Sequence, residues 1–291
     1  MIKKTFQTLK ENPAIILGFA LSMILACLSI LPMIGSTNDM MEVIMEAAQS
    51  GVEPSPEFFT NSFMPGYLSS MGLMFVLYII VGFVILPPVL NRVYEACSDR
   101  KEYDWIKRGL KRSWWKIVVT AIIMTAALSV VFIVGMIVMF IPIIGQLAYM
   151  CAMFAASVFG IIAFTSTIAE DDFGKGLNNI FTVGKKYFFK LLGVMALVSI
   201  PIILISIVLT VFMFVNMFSM ANVSNPELMF TELFPKIMNI TWIFSGIMML
   251  YYVFAYPFIY TYSMHQYLEN KESFYYQAPV QSQSNYQNTD F

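Results

Sequence analysis

Charge is what this chain has least of. Of its 291 residues only 12% are Asp, Glu, Lys or Arg, against about 25% in an ordinary soluble domain. Histidine occurs once, as His265, which excludes the pair of histidines one turn apart that a helix-borne metalloprotease needs. The three cysteines, Cys27, Cys97 and Cys151, have neither zinc-site spacing nor the numbers for a disulfide framework. The glycines at Gly174 and Gly176 are followed by no Gly-Lys-Ser/Thr, so no phosphate loop is present. No cofactor or metal is therefore expected. What fills the chain instead is apolar: 58% of positions, with a mean hydropathy of +0.72. A soluble domain of this length cannot hide that much apolar surface, and the solvent it calls for is lipid.

The apolar residues fall into runs. Glu11 and Asp39 are separated by 27 uncharged residues, with the apolar part from Ala14 to Gly35. That run is too long for the apolar core of a cleaved signal and reads as a span. A second lies at 67–90. Between Lys116 and Glu170 stand 53 uncharged residues, which as one helix would extend about 80 Å through a hydrocarbon core of about 30 Å. They must fold back, at Pro142 and Gly145, giving spans at 117–142 and 146–168. The last two runs cover 191–216 and 240–264. The expected fold is all-α: a transmembrane bundle of six helices over residues 1–272, with a disordered tail over 273–291 rich in Gln, Ser, Asn and Tyr. No charged residue lies inside any span.

Lysine and arginine set the orientation. Lys3, Lys4 and Lys10 precede span one. Eight basic residues lie between spans two and three, four between spans four and five (Lys175, Lys185, Lys186 and Lys190), and Lys271 follows span six. The other side has Lys236 alone against seven acids, Asp39, Glu42, Glu46, Glu53, Glu57, Glu227 and Glu232. Both termini are expected in the cytoplasm.

Shifting the chain by 170 residues superposes Pro56-Glu57 on Pro226-Glu227, Pro65 on Pro235, Pro87 on Pro257 and Lys101-Glu102 on Lys271-Glu272. Duplication is preferred here to coincidence. Spans three and five open alike as well. Lys111-Arg112-Ser113-Trp114-Trp115-Lys116 and Lys185-Lys186-Tyr187-Phe188-Phe189-Lys190 are both basic-basic-x-aromatic-aromatic-lysine. Upstream, Trp105, Ile106 and Leu110, and again Leu177 and Phe181, share a helical face, as short helices lying in the headgroup layer would. Lys3 to Lys10, with Phe6 and Leu9, reads as a shorter version. The plan is three units in the same orientation, each an interfacial helix followed by a hairpin of two spans.

Buried ionisable groups at mid-bilayer mark proton relays and intramembrane catalysis because they are costly to place there. None is present, so the expectation is that the protein is not an enzyme. Glu170-Asp171-Asp172 reads as an acidic first turn with Asp171 or Asp172 as the helix cap. His265, beside Tyr262 and Tyr267, reads as headgroup-level packing. The physical activity best supported is contact with anionic lipid headgroups, each basic residue contributing about 1 kcal/mol near the surface. The residues expected to make it are Trp105, Lys107, Arg108, Lys111, Arg112, Trp114, Trp115 and Lys116 in one segment, and Lys185, Lys186, Phe188, Phe189 and Lys190 in the other. Nucleic acid is not expected as a partner, because so short a loop is already pinned to the membrane. Another membrane protein or a second copy of the chain is a possible partner. Pro87, Pro201 and Pro257 are the candidate hinges.

Six spans, basic-aromatic segments entering spans three and five, and the stretch Pro87 to Lys116 together resemble a group of six-span bacterial membrane proteins. These include the YciC-like proteins and the membrane domain attached to some glycerophosphodiester phosphodiesterases. The resemblance covers about residues 1–272. It implies a polytopic protein of a bacterial cell membrane and supplies no functional residue, and no phosphodiesterase domain accompanies it here. The expected role is a non-enzymatic organiser or accessory subunit, with a permease for a small uncharged or lipid-like substrate as the alternative.

The charge bias generates a direct test. In a chain without its native cysteines, Glu46→Cys is expected to react with a membrane-impermeant maleimide added outside intact cells, and Arg108→Cys to react only after lysis. The opposite labelling would invert the orientation.

Overall fold

The computed structural model describes residues 1–50, 64–98, 105–141, 144–221 and 234–276. Among them there is no strand. Helix α1 is Ile2–Glu11, α2 Pro13–Ser50, α3 Met64–Cys97, α4 Gly109–Val138, α5 Ile144–Ala169, α6 Phe173–Thr182, α7 Gly184–Ala221 and α8 Phe234–Tyr276. A single turn, Trp105–Arg108, leads into α4. Among the described residues five helices are long and apolar enough to cross a membrane, and a sixth is added when Ile2–Glu11 and Pro13–Leu28 are taken as one bent span. In the most apolar window of the Gly184–Phe212 span only 6% of residues are buried. Such a surface is stable only when lipid surrounds it.

The order short helix, long helix, long helix recurs as the sequence leads one to expect. Helix α1 meets α2 at 84°, so it lies across the direction of the span that follows, with Lys10 in its last turn. Helix α6 links α5 to α7, and Asp172 caps it: its carboxylate Oδ1 accepts from the Lys175 N–H at 2.7 Å. The helices also outrun their apolar stretches. Helix α2 continues through Ser50, well past Gly35, and α8 continues to Tyr276, into the segment expected to begin a disordered tail. The repeated pairs Pro56-Glu57 and Pro226-Glu227, the turn residue Pro142, and the tail beyond Tyr276 lie outside the described residues.

Of the three candidate hinges, only Pro87 accompanies a change in the backbone ladder. Pro87 and its neighbour Pro88 lack N–H groups, so the carbonyls four residues earlier lose their usual donors. The ladder loosens to π geometry over Val81–Ile85, where the Leu86 N–H reaches back to the Val81 carbonyl. Helices α7 and α8 run unbroken through Pro201 and Pro257.

The protein core lies at one end of the bundle, the end that carries the basic residues. Leu9, Ile15, Leu90, Val93, Ile117, Ile162, Ile168, Val183 and Leu191 are buried there. Apolar side chains farther along the spans, such as Ile133, Ile137, Val208 and Leu250, are exposed. At the centre of this end stands α8. Its seven consecutive residues Thr261 to Tyr267 are all buried, which takes in every face of two helical turns. It packs against α1, α2, α3, α5 and α7, and so closes the third unit onto the first.

Two glycines let the interfacial segments sit directly on the span before them. A Cβ on Gly109 would come within 2.4 Å of the Pro88 Cα, and one on Gly176 within 2.8 Å of the Thr167 Cα. Gly72, by contrast, has open space around it. Gly109→Ala is therefore expected to lower the resistance of the purified protein to denaturant by about 1–3 kcal/mol. Gly72→Ala should be neutral or slightly stabilising. Equal behaviour of the two variants in the same unfolding assay would contradict the close approach.

Candidate functional site

The polar groups of the basic end form two layers, one buried and one exposed. At the centre of the buried layer is Glu170, in the short link between α5 and α6 and only 4% exposed. Oε1 accepts from the Tyr267 hydroxyl at 2.7 Å, from Asn179 Nδ2 at 3.3 Å and from Lys271 Nζ at 2.5 Å. Lys175 Nζ stands 3.9 Å from Oε2. Asn179 also donates to the Tyr267 oxygen at 2.7 Å. One carboxylate thus ties α6 and α8 to the end of α5. A carboxylate taken out of water is tolerable only with such a set of donors.

Further bonds cross between helices around it. Thr8 of α1 meets His265 Nε2 of α8 at 2.9 Å, and Thr165 of α5 meets Ser263 of α8 at 3.0 Å. Thr120 of α4 donates to Thr167 of α5 at 3.2 Å. In the first two units, Arg92 donates to Asn12 Oδ1 at 2.9 Å and stands 3.6 Å from Glu95. Asn91 donates to Glu95 at 2.9 Å and accepts from Ser113 at 3.4 Å.

The two basic-aromatic segments divide their residues between the layers by position. The third residue of each, Ser113 and Tyr187, is fully buried. The aromatic pair that follows faces outward: Trp114 and Trp115 are exposed, as is Phe189, while Phe188 is half-buried against Phe159. Trp114 leans on Phe83 and Trp115 on Phe173. Lys107, Lys111, Lys185, Lys186 and Lys190 are exposed. Arg112 is half-buried, donating to Asp171 at 2.5 Å and lying 5.2 Å above the Tyr94 ring. The side chains of Trp105 and Arg108 lie outside the described residues.

Lys116 departs from the expected headgroup contact. It is 3% exposed, and its Nζ donates to the carbonyl oxygens of Glu170 at 2.6 Å and Asp171 at 2.8 Å. These carbonyls lie where α5 ends, and a lysine there satisfies acceptors that the helix leaves open and complements its dipole. Lys190, its counterpart in the third unit, has no such terminus to cap because α8 continues to Tyr276. It stays exposed. His265 is buried as well, in contact with Thr8.

Sequence reasoning missed Asn91, Glu95, Asn179 and Tyr267 as members of one polar layer. A signal was present, because Thr261-Tyr262-Ser263-Met264-His265-Gln266-Tyr267 carries hydrogen-bonding groups on every helical face and such a helix needs partners all round. Among the described residues, no group of His, Cys, Asp and Glu is placed to hold a metal ion.

No family model, curated protein or solved structure matches this chain. The expected likeness to the YciC-like group finds no support in these comparisons.

The Glu170 cluster carries its own test. Glu170→Ala leaves Lys271, Tyr267 and Asn179 facing an empty site and is expected to destabilise the protein by about 3–5 kcal/mol. Asp171→Asn, at a side chain 93% exposed, should change stability by about 1 kcal/mol or less. Unfolding in mixed micelles measures both, and a loss below about 1 kcal/mol for Glu170→Ala would show that the carboxylate does not tie the helices.

Proposed function

We propose that this membrane protein is a non-enzymatic organiser or accessory subunit, and that its working surface is the basic end of the bundle, facing the cytoplasm. The observation that carries the proposal is the division between the two layers. Buried ionisable groups are consumed by internal bonds, Glu170 by Tyr267, Asn179 and Lys271 and Lys116 by backbone carbonyls. Lysines and large aromatics are left on the outside, at Lys107, Lys111, Trp114, Trp115, Lys185 and Phe189. Aromatics beside lysines suit the headgroup region, where the rings sit among the upper acyl carbons and the ammonium groups meet phosphates.

The non-enzymatic part is supported by where the acid–base groups are spent. His265 is engaged with Thr8, and the Glu170 oxygens face several donors. The permease alternative draws on the cavities between the helices. Two of them, of about 760 and 680 Å³, are lined mainly by apolar side chains, which suits a lipid-like occupant and not a polar solute.

The test is reconstitution in nanodiscs of phosphatidylglycerol and phosphatidylcholine, comparing the native protein with Lys107→Gln, Lys111→Gln and Lys185→Gln combined. Native protein is expected to enrich phosphatidylglycerol in its boundary lipid, and the triple variant to lose at least about fivefold of that preference, the equivalent of one charge at about 1 kcal/mol. Equal lipid composition around both proteins would remove the basis for the proposal.

A further inference from the structure

An apolar groove runs between the first and third units. It lies between α1, the start of α2, α7 and α8 and encloses about 760 Å³, within the range of small-molecule sites. Its walls include Phe6, Leu9, Val194, Leu197, Phe254 and Phe258. Tyr251 also lines it, but its hydroxyl is engaged, donating to the Val198 carbonyl at 2.5 Å. At its basic end stand Lys10 and Lys190, both exposed and, among the described residues, neither paired with a carboxylate.

We propose that this groove holds one anionic phospholipid, with an acyl chain along α7 and the phosphate between Lys10 and Lys190. Charge and length both argue for that occupant. Two cations at one end of an apolar trough match an amphiphile with a single anionic head. Along α7 the lining runs from Lys190 to Val198, about 12 Å of helix, close to the roughly 15 Å that one leaflet contributes to the hydrocarbon core. The asymmetry between units explains the free charge. Lys116 is spent capping α5, whereas the continuation of α8 leaves Lys190 available. Helix α1, lying across its span, brings Lys10 to the wall of the same groove.

The inference rests on the basic end being a headgroup surface, and the variants separate the two. Gly193 lines the groove and a Cβ there meets nothing within 4 Å, so Gly193→Phe fills the trough without disturbing the helix packing. Lys10→Gln with Lys190→Gln removes the anchor through two exposed side chains and spares the fold. The readout is native mass spectrometry of protein extracted from vesicles of phosphatidylglycerol and phosphatidylcholine. Native protein is expected to retain one phosphatidylglycerol. Gly193→Phe should abolish the lipid-bound peak, and the double lysine variant should weaken its binding by about twenty-five-fold, roughly fivefold per charge. The Lys107, Lys111 and Lys185 variant should keep this lipid while losing the general enrichment. Retention of the lipid by both groove variants, or equal retention of phosphatidylcholine by native protein, overturns the proposal. In the first case the headgroup reading survives if the surface-lysine variant still loses its enrichment.

Discussion

Inside a membrane, apolar helices gain little by touching one another, because lipid tails are as apolar as leucine. Whatever holds this bundle together must therefore act where water or polar groups are available. The structure places that point at the basic end, in the set of donors around the Glu170 carboxylate. Three helical elements meet there only because one buried charge needs all of them. The bonds around it, from Thr8 to His265 and from Thr165 to Ser263, are individually modest, on the order of 0.6 kcal/mol each in membrane proteins. Their geometric effect is larger than their energy. Each fixes the rotation of one helix against α8, and together they allow the far halves of the spans to remain lipid-facing without loss of register.

This arrangement also sorts the charged residues by role. Lys116 and Lys190 occupy the same place in two like segments, yet one caps a helix and the other faces an apolar groove. The difference comes from their surroundings. Helix α5 stops at Ala169 and exposes carbonyls; α8 carries on and exposes none. A repeated sequence thus produces a structural cation in one unit and a free one in the next.

Much of the architecture was legible in the chain, because span length and charge exclusion are one-dimensional properties that lipid imposes directly. The fold-back between Lys116 and Glu170, the cap at Asp172 and the sharp bend between α1 and α2 all follow from local chemistry. The depth of each side chain did not. Lys116, His265 and Tyr267 give no sign of their burial when read beside their neighbours in sequence. Their burial depends on α1, α5 and α6 converging on α8, and no periodicity within a single helix reports that. Likewise, helical extension past Gly35 and to Tyr276 crosses residues whose polarity suggests a loop, since polar residues continue a helix freely once it leaves the bilayer.

The central position of α8 has a consequence for how the chain is made. Thr8 and its partner His265 are separated by 257 positions, and Glu170 waits for Tyr267 and Lys271 across almost one hundred residues. During synthesis the earlier spans enter the membrane with the polar groups of this end still hydrated, and no earlier segment can stand in for the missing post. Assembly of this end therefore waits until α8 has left the ribosome. A chain interrupted before Thr261 would be threaded through the bilayer yet left without its keystone.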